Sequence, residues 1–183
     1  MTRTLLFALG GLVLGGIIHI VVVLLVPGYA PADAWTRIND LTERERFTVL
    51  RYETGESDAV PMLDPLMRHA VCRFSIEAAP IRVRATIPGD FWSVALFNSG
   101  GENVYSINND SVGSTSLDML VLTVDQLAQL RENPPDDLDQ MLIIESADDR
   151  GFVLLRAFVP DPSMEGSISV AMNEARCELQ TGL

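Results

Sequence analysis

Residues 5–26 form an apolar run of 22 residues, and this run constrains the fold more than any other feature. It reads LLFALGGLVLGGIIHIVVVLLV, contains no charged residue, and has His19 as its one clearly polar side chain. As a helix it would extend about 33 Å, which matches the hydrocarbon thickness of a bilayer. We therefore expect residues 1–29 to form a single membrane anchor.

A cleaved secretory signal is the alternative to a retained anchor. Ala30-Pro31-Ala32 has the small–x–small pattern of a cleavage site, but the apolar part of a cleaved signal usually spans only about 7–15 residues. Arg3 precedes the run, whereas the first cation after it is Arg37. The positive-inside tendency therefore predicts a single-pass protein of the inner (plasma) membrane, with a cytoplasmic N-terminus and a periplasmic or extracytoplasmic C-terminal domain.

The apolar run also carries a pattern that is typical of associating membrane helices. Gly11, Gly15 and His19 are spaced by four residues and so share one face of a helix. The two glycines form the GxxxG spacing that lets two helices approach closely, and a buried imidazole gains by hydrogen bonding to a neighbouring helix. We expect this face to contact a second copy of the chain or another membrane protein.

The charge of the remaining chain excludes one class of function. Beyond residue 29 there are 12 arginines against 25 acidic residues, a net charge of −13. Such a surface repels phosphate backbones, so we expect no nucleic-acid partner. All 13 basic residues are arginine, which suggests a GC-rich bacterial source.

The pattern of residues 30–183 predicts an α+β domain rich in antiparallel strands. Residues 30–46 read as a juxtamembrane helix or linker, and residues 47–183 as a β-rich, sandwich-like domain with about three helices in all. In IRVRATI, alternate positions are apolar, which indicates a strand with one buried face. The segments with strand character are FTVLRY, HAVCRFSIEA, IRVRATI, FWSVALFN, NVYSIN, LDMLVLT, DQMLIIESA and FVLLRAFVP.

Cys72 and Cys177 are the only cysteines, and they lie 105 residues apart. In an oxidising compartment they could form a disulfide, and in a reducing one they would be two buried thiols. Residues 161–179 read as a final helix that begins near Asp161 and carries Cys177 at its end. A disulfide would then connect this helix to the strand of Cys72.

The chain contains no familiar catalytic motif, which favours a non-enzymatic role. The soluble part has one histidine, His69. A hydrolase triad or a multi-histidine metal site would therefore be short of partner residues. His69 and Cys72 stand three apart on a predicted strand and therefore point to opposite faces. The acidic turns match no calcium loop. We expect no metal and no cofactor.

Arg156 interrupts the apolar run FVLLRAFV and has three possible explanations. It could form a core ion pair that fixes the strand register, anchor a ligand, or point to solvent. Strand alternation places Leu154, Arg156 and Phe158 on one face.

The stretch FWSVALFNSGGENVYSINNDSVG, the ending LIIESADDRGFVLLRAFVPDPS and the CRF strand at Cys72 resemble a bacterial family. The chain is similar over residues 65–165 to small membrane-anchored members of the domain of unknown function 1254 family, which is related to domain of unknown function 1214. The resemblance implies a β-rich sandwich-like domain and no established catalytic residue. Longer relatives carry a second domain, so it also implies a partner, such as a small protein of the 1214 type.

Two functions follow as expectations. The first is a membrane-tethered envelope domain that acts as a protein-interaction or assembly module. The alternative is a small-ligand-binding domain or rudimentary enzyme with a pocket near the hairpin of residues 91–110. Its candidate ligand-binding residues are Trp92, Ser93, Tyr105, Asn108 and Arg156.

Overall fold

The computed structural model describes residues 2–29, 34–50, 63–135 and 137–181, and it divides into two compact units, Met1–Asp33 and Ala34–Leu183. The first unit is helix α1 (Thr2–Tyr29). Its Thr2–Val26 segment is long and apolar enough to cross a membrane, judged by length and composition, and its large apolar side chains are exposed. The candidate cleavage site at residues 30–32 lies outside the described residues.

The second unit contains two β-sheets. Sheet A has five strands, all antiparallel to their neighbours, in the order β1 (Phe47–Leu50), β2 (Met67–Ser75), β8 (Arg150–Phe158), β4 (Trp92–Asn98) and β5 (Asn103–Asn108). Sheet B has four strands in the order β7 (Leu142–Glu145), β6 (Ser116–Leu122), β3 (Ile81–Thr86) and β9 (Arg176–Leu179). The β6–β7 pair is parallel, and the other pairs of sheet B are antiparallel.

The predicted fold class is confirmed: the chain is α+β, with an N-terminal apolar helix and two mostly antiparallel sheets. Each of the eight predicted strands is present in the structure. Three predicted helices of the domain correspond to α2 (Ala34–Leu41), α4 (Val124–Glu132) and α5 (Glu165–Glu174), and a single turn, α3 (Asn109–Val112), adds a fourth. Two short 3₁₀ turns, Leu138–Gln140 and Pro162–Met164, precede β7 and α5.

The inward faces of the two sheets share one apolar core. In β3 the burial alternates as predicted, with Ile81, Val83 and Ala85 buried and the residues between them more exposed. This period of two arises because successive side chains of a strand point to opposite faces. Sheet A contributes Phe74, Trp92, Leu96, Val153 and Leu155 to the core, and sheet B contributes Met119 and Val121.

Helix α4 covers the other face of sheet B. Leu120 and Leu122 alternate with the core residues of β6 and form a second apolar cluster with Leu130 of the helix. A capping box starts the helix, since the Gln126 N–H donates to Thr123 Oγ1 at 3.3 Å and the Thr123 N–H donates to Gln126 Oε1 at 3.0 Å. The helix connects β6 to β7, and a crossover of this kind allows two strands to pair in parallel.

The C-terminal helix is shorter than predicted, which changes the element that carries Cys177. Helix α5 ends at Glu174, and strand β9 follows and pairs with β3. In β9 the side chain of Cys177 is buried and its neighbours Arg176 and Glu178 are exposed. Cys177 forms a disulfide with Cys72 across a Cα–Cα distance of 6.4 Å. The disulfide therefore connects β2 of sheet A to β9 of sheet B, and not a helix to a strand.

Of two short connections between strands, one forms a hairpin and the other joins the two sheets. The predicted hairpin at residues 99–101 is confirmed, because β4 and β5 are antiparallel neighbours. Residues 146–149 join β7 to β8, but these strands lie in different sheets. Short turns alone thus did not determine which strands pair.

Candidate functional site

One row of polar residues crosses the face of sheet A that points away from sheet B. Strand register places His69 of β2 opposite Arg156 of β8, and Arg156 opposite Ser93 of β4. Ser93 in turn lies opposite Asn108 of β5, and Leu50 of β1 completes the row beyond His69. We call His69, Arg156, Ser93 and Asn108 the polar row. Directly opposite residues have Cβ atoms about 5 Å apart, so these side chains are neighbours.

The row brings together three of the five predicted ligand-binding residues. Ser93, Asn108 and Arg156 share it, whereas Trp92 and Tyr105 pack on the opposite side of the sheet. Trp92 is 1% exposed in the core. Because adjacent residues of a strand face opposite sides, the five residues do not converge on one pocket. That any of them binds a ligand stays a prediction.

Arg156 is a half-buried cation without an anionic partner among the described residues. Its Nε is buried and has no hydrogen-bond acceptor within the part of the chain that the structure describes. Other partly buried arginines of the strands donate to oxygen atoms: Arg82 to Asp118 and Asp137, and Arg68 to Glu165. The core ion pair considered for Arg156 is therefore not found in the described part of the chain, and the alternation that placed it beside Leu154 and Phe158 is confirmed.

Arg82, in contrast to Arg156, has carboxylate partners within the described chain and forms a cluster with Asp118 and Asp137. Arg82 Nε and Nη2 donate to the two carboxylate oxygens of Asp118 at 2.9 and 2.7 Å, and Nη2 also donates to Asp137 at 2.7 Å. The hydrogen bond that Arg82 donates to Asp118 raises the pKa of Arg82, and the hydrogen bond that Arg82 donates to Asp137 lowers the pKa of Asp137. This cluster joins β3 and β6 to the 3₁₀ turn on the outer face of sheet B.

Ser93 adds an unused hydroxyl to the row. The residue is only 6% exposed, and its buried Oγ has no hydrogen-bond partner in the described residues. Burying a hydroxyl without a partner costs roughly 1–3 kcal/mol by protein mutational data. An orphaned hydroxyl next to an orphaned guanidinium nitrogen is an arrangement that a bound acceptor would complete.

Sequence reasoning missed His69 as a member of the row. His69 is 7% exposed, and burial first, then the charge of Arg156, lowers its pKa below the ordinary value of 6.5. His69 stands three residues before the buried Cys72, so the sequence indicates that it lies on the opposite face of β2. Its position beside Arg156, however, depends on the pairing of β2 with β8. Among the described residues no group of three or more His, Cys, Asp or Glu is placed to hold a metal ion.

Apolar side chains flank the polar row on the same face. Phe97 and Phe152 stack with ring centroids 4.9 Å apart, toward one end of β4 and β8. Leu154 and Phe158 lie two residues to either side of Arg156 and are half-buried. The face thus combines a cation, a hydroxyl and an imidazole with an apolar surround.

A separate groove of about 800 Å³ runs along the edge strand β1. At its side Arg68 Nε donates to Glu165 Oε1 at 2.7 Å, and this hydrogen bond lowers the pKa of the Glu165 carboxyl. Arg68 and Glu165 neutralise each other's charge and form hydrogen bonds with each other. This pair therefore leaves no unpaired charged group in the groove.

Helix α1 carries the three residues predicted to associate with another helix. Gly11, Gly15 and His19 lie within one continuous helix, so their spacing places them on one face. Apart from the adjacent residues and the backbone of the helix itself, no described atom lies within 4 Å of a Cβ built at Gly11 or Gly15. Their association stays a prediction.

The fold defines a class of protein: an apolar N-terminal helix followed by a two-sheet α+β domain. Its fold is similar to the crystal structure of the VPA0106 protein from Vibrio parahaemolyticus, with a TM-score of 0.61 and 10% sequence identity over 80% of this chain. A putative uncharacterized protein from Burkholderia cenocepacia aligns over 64% of this chain with a TM-score of 0.38 and 13% identity. No family model and no curated protein matches the chain.

The chain covers only part of these solved structures. It spans 33% of the Vibrio protein and 30% of the Burkholderia protein. At 10% identity the likeness to the Vibrio protein establishes the fold alone.

Proposed function

We propose that the chain is a single-pass protein of a bacterial inner membrane whose periplasmic domain is a protein-interaction or assembly module. The observation that carries this proposal is the exposed apolar surface of Thr2–Val26, which has a length and hydropathy suited to a bilayer. Water does not stabilise 25 exposed residues of this kind, whereas lipid does.

The orientation has two supports. Arg3 precedes the helix and no cation follows it until Arg37, which favours a cytoplasmic N-terminus. The Cys72–Cys177 disulfide joins the two sheets, and disulfides persist in the periplasm but are rare in the cytoplasm. Both observations favour a domain that lies outside the cytoplasm.

We further propose that the partner is another envelope protein. The resemblance to membrane-anchored members of the domain of unknown function 1254 family favours a small protein of the 1214 type, and the Gly11–Gly15–His19 face of α1 offers a second contact within the membrane. A homodimer through that face is the alternative arrangement.

Reporter fusions after Leu183 test the topology. Alkaline phosphatase folds only outside the cytoplasm, and green fluorescent protein exported in unfolded form stays dark there. We expect an active phosphatase fusion, a dark fluorescent fusion, and faster migration of the chain on a non-reducing gel than on a reducing one. A fluorescent fusion with free thiols would contradict the orientation and the disulfide together.

Purification in a mild detergent tests the interaction. We expect the chain to elute with one stoichiometric protein or as a dimer, and to survive as that assembly after chemical cross-linking in intact cells. A clean monomer from cells cross-linked in the same way would contradict an assembly role.

A small-ligand-binding domain is the second candidate function. The specific observation in its favour is the polar row, where Arg156 Nε and Ser93 Oγ are buried and find no partner among the residues that the structure describes. The hairpin of residues 91–110 contributes Ser93 and Asn108 to that row.

A further inference from the structure

We propose that the polar row of sheet A binds the carboxylate of a small organic acid with an apolar body. The guanidinium of Arg156 supplies the charge, and the Ser93 hydroxyl and the His69 imidazole supply neighbouring hydrogen bonds. The inference rests on the second candidate function, ligand binding at the polar row, and not on the membrane topology proposed above.

Charge is the first argument. Arg156 is half-buried on the central strand of sheet A, and among the described residues it forms no ion pair. A partly buried cation without a counter-ion is costly, and an anion that binds beside it removes much of that cost. The adjacent groups cannot serve as the anion, because a hydroxyl is neutral and an imidazole is neutral or cationic.

The arrangement of donors is the second argument. Arg156 Nε and Ser93 Oγ are both buried and have no partner in residues 34–50, 63–135 and 137–181, and register places the two residues directly opposite each other. A guanidinium has five N–H donors and no acceptor, so it can only be satisfied by acceptor atoms. A carboxylate has two oxygens that accept from a guanidinium and a hydroxyl together, with charge-assisted hydrogen bonds.

The apolar surround selects the kind of anion. Leu154 and Phe158 flank Arg156 along β8, and the stacked rings of Phe97 and Phe152 lie further along the same face. An inorganic anion would leave these side chains without contact. An organic acid would cover apolar surface, which contributes roughly 25 cal/mol per Å².

Benzoate is the probe, titrated into the full chain in a non-ionic detergent. The chain has two histidines, His69 in the row and His19 in α1, so isotope-labelled histidine gives two side-chain NMR signals. We expect benzoate to move the His69 signal saturably and to leave the His19 signal in place. Benzamide, the neutral isostere, and inorganic phosphate should bind at least tenfold more weakly than benzoate.

Two substitutions that each remove one positive charge assign the binding to Arg156. Arg156→Gln should weaken benzoate at least tenfold, because it removes the cation of the row. Arg84→Gln is the matched control: Arg84 stands on the outer face of sheet B, 48% exposed and 3.7 Å from Glu178, so its loss should change affinity less than twofold. Should Arg156→Gln fail to fold, Ser93→Ala in the same titration should weaken benzoate about threefold.

Clear outcomes overturn the proposal. Absence of a saturable benzoate shift, equal affinity of the parent and the Arg156→Gln or Ser93→Ala variants, or tighter binding of phosphate than of benzoate would each do so. These failures differ from failure of the proposed function, since a cytoplasmic C-terminus would contradict the topology and leave benzoate binding unaffected.

Discussion

Gly151 is the glycine at which the fold most clearly leaves no room for a larger side chain. It lies in β8 opposite Phe74 and Asn98, and a Cβ at this position would overlap the carbonyl oxygen of Phe97 and approach Phe74 Cζ to 2.9 Å. We expect Gly151→Ala to lower the free energy of unfolding by about 3 kcal/mol, since overpacking on that scale displaces backbone. Thermal unfolding of the full chain in detergent measures this, with the midpoint falling by roughly 6–12 °C.

Gly166→Ala is the matched control for that substitution. Gly166 lies in helix α5, and nothing lies within 4 Å of a Cβ built there. Alanine should therefore stabilise the chain by up to about 1 kcal/mol through helix propensity. Similar midpoints for the two alanine variants would contradict the steric account of Gly151.

His69 gives a prediction on pH. Burial and the charge of Arg156 lower its pKa in the folded chain below 6.5, whereas Asp64 acts in the opposite direction more weakly. The unfolded chain therefore binds more protons in this range, so stability rises with pH. We expect the unfolding midpoint to fall as the pH drops from 6.5 toward the folded pKa of His69.

The variant His69→Gln isolates that effect. It has no group that titrates at this position, so its midpoint should change less than that of the parent chain just below pH 6.5. The carboxyls of Asp137 and Glu165 have lowered pKa values, and their contribution is lost only at more acidic pH. Parallel pH profiles of parent and variant would contradict the assignment to His69.

At the scale of elements, local pattern predicted eight of the nine strands of the described residues, but not all of their partners. IRVRATI shows why prediction worked, since its period of two specifies a strand with one buried face. Residues 176–179 show why it failed, since RCEL follows a helical segment and is too short to display a period of its own. The parallel pairing of β6 with β7 depends on the packing of α4, which is a tertiary feature.

The disulfide connects two elements that no short loop joins. Cys72 of β2 and Cys177 of β9 close a loop with a sequence separation of 105 residues. The chain-entropy relation gives about 4.7 kcal/mol for a loop of that size. We expect reduction to lower the free energy of unfolding by about 4 kcal/mol, measured by thermal unfolding with and without dithiothreitol.

The double variant Cys72→Ala/Cys177→Ala is the control for reduction. It should unfold near the midpoint of the reduced parent chain and should not respond to dithiothreitol. A parent chain whose midpoint is unchanged by complete reduction would contradict a stabilising role for the link between β2 and β9.

At the scale of the whole molecule, the candidate site could be predicted only in part. Arg156 was predicted because it interrupts an apolar strand, whereas Ser93 and Asn108 were predicted because the hairpin of residues 91–110 mixes polar and aromatic side chains. Trp92 was predicted with them, although it faces the core. The row itself depends on the pairing of β2, β4 and β8, and pairing between strands distant in sequence is set by packing of the whole sheet.

The membrane helix supplies the last prediction, which concerns the assembly of whole chains. Gly11 and Gly15 leave an open groove on one face of α1, and close approach of a second helix requires that the groove stay open. We expect Gly15→Leu to reduce helix association in a bacterial membrane at least fivefold, measured with a two-hybrid reporter for membrane helices. Gly16→Leu, one residue away on a different face, is the control and should associate as the parent does. Equal signals from Gly15→Leu and the parent would show that the chains meet through some other surface.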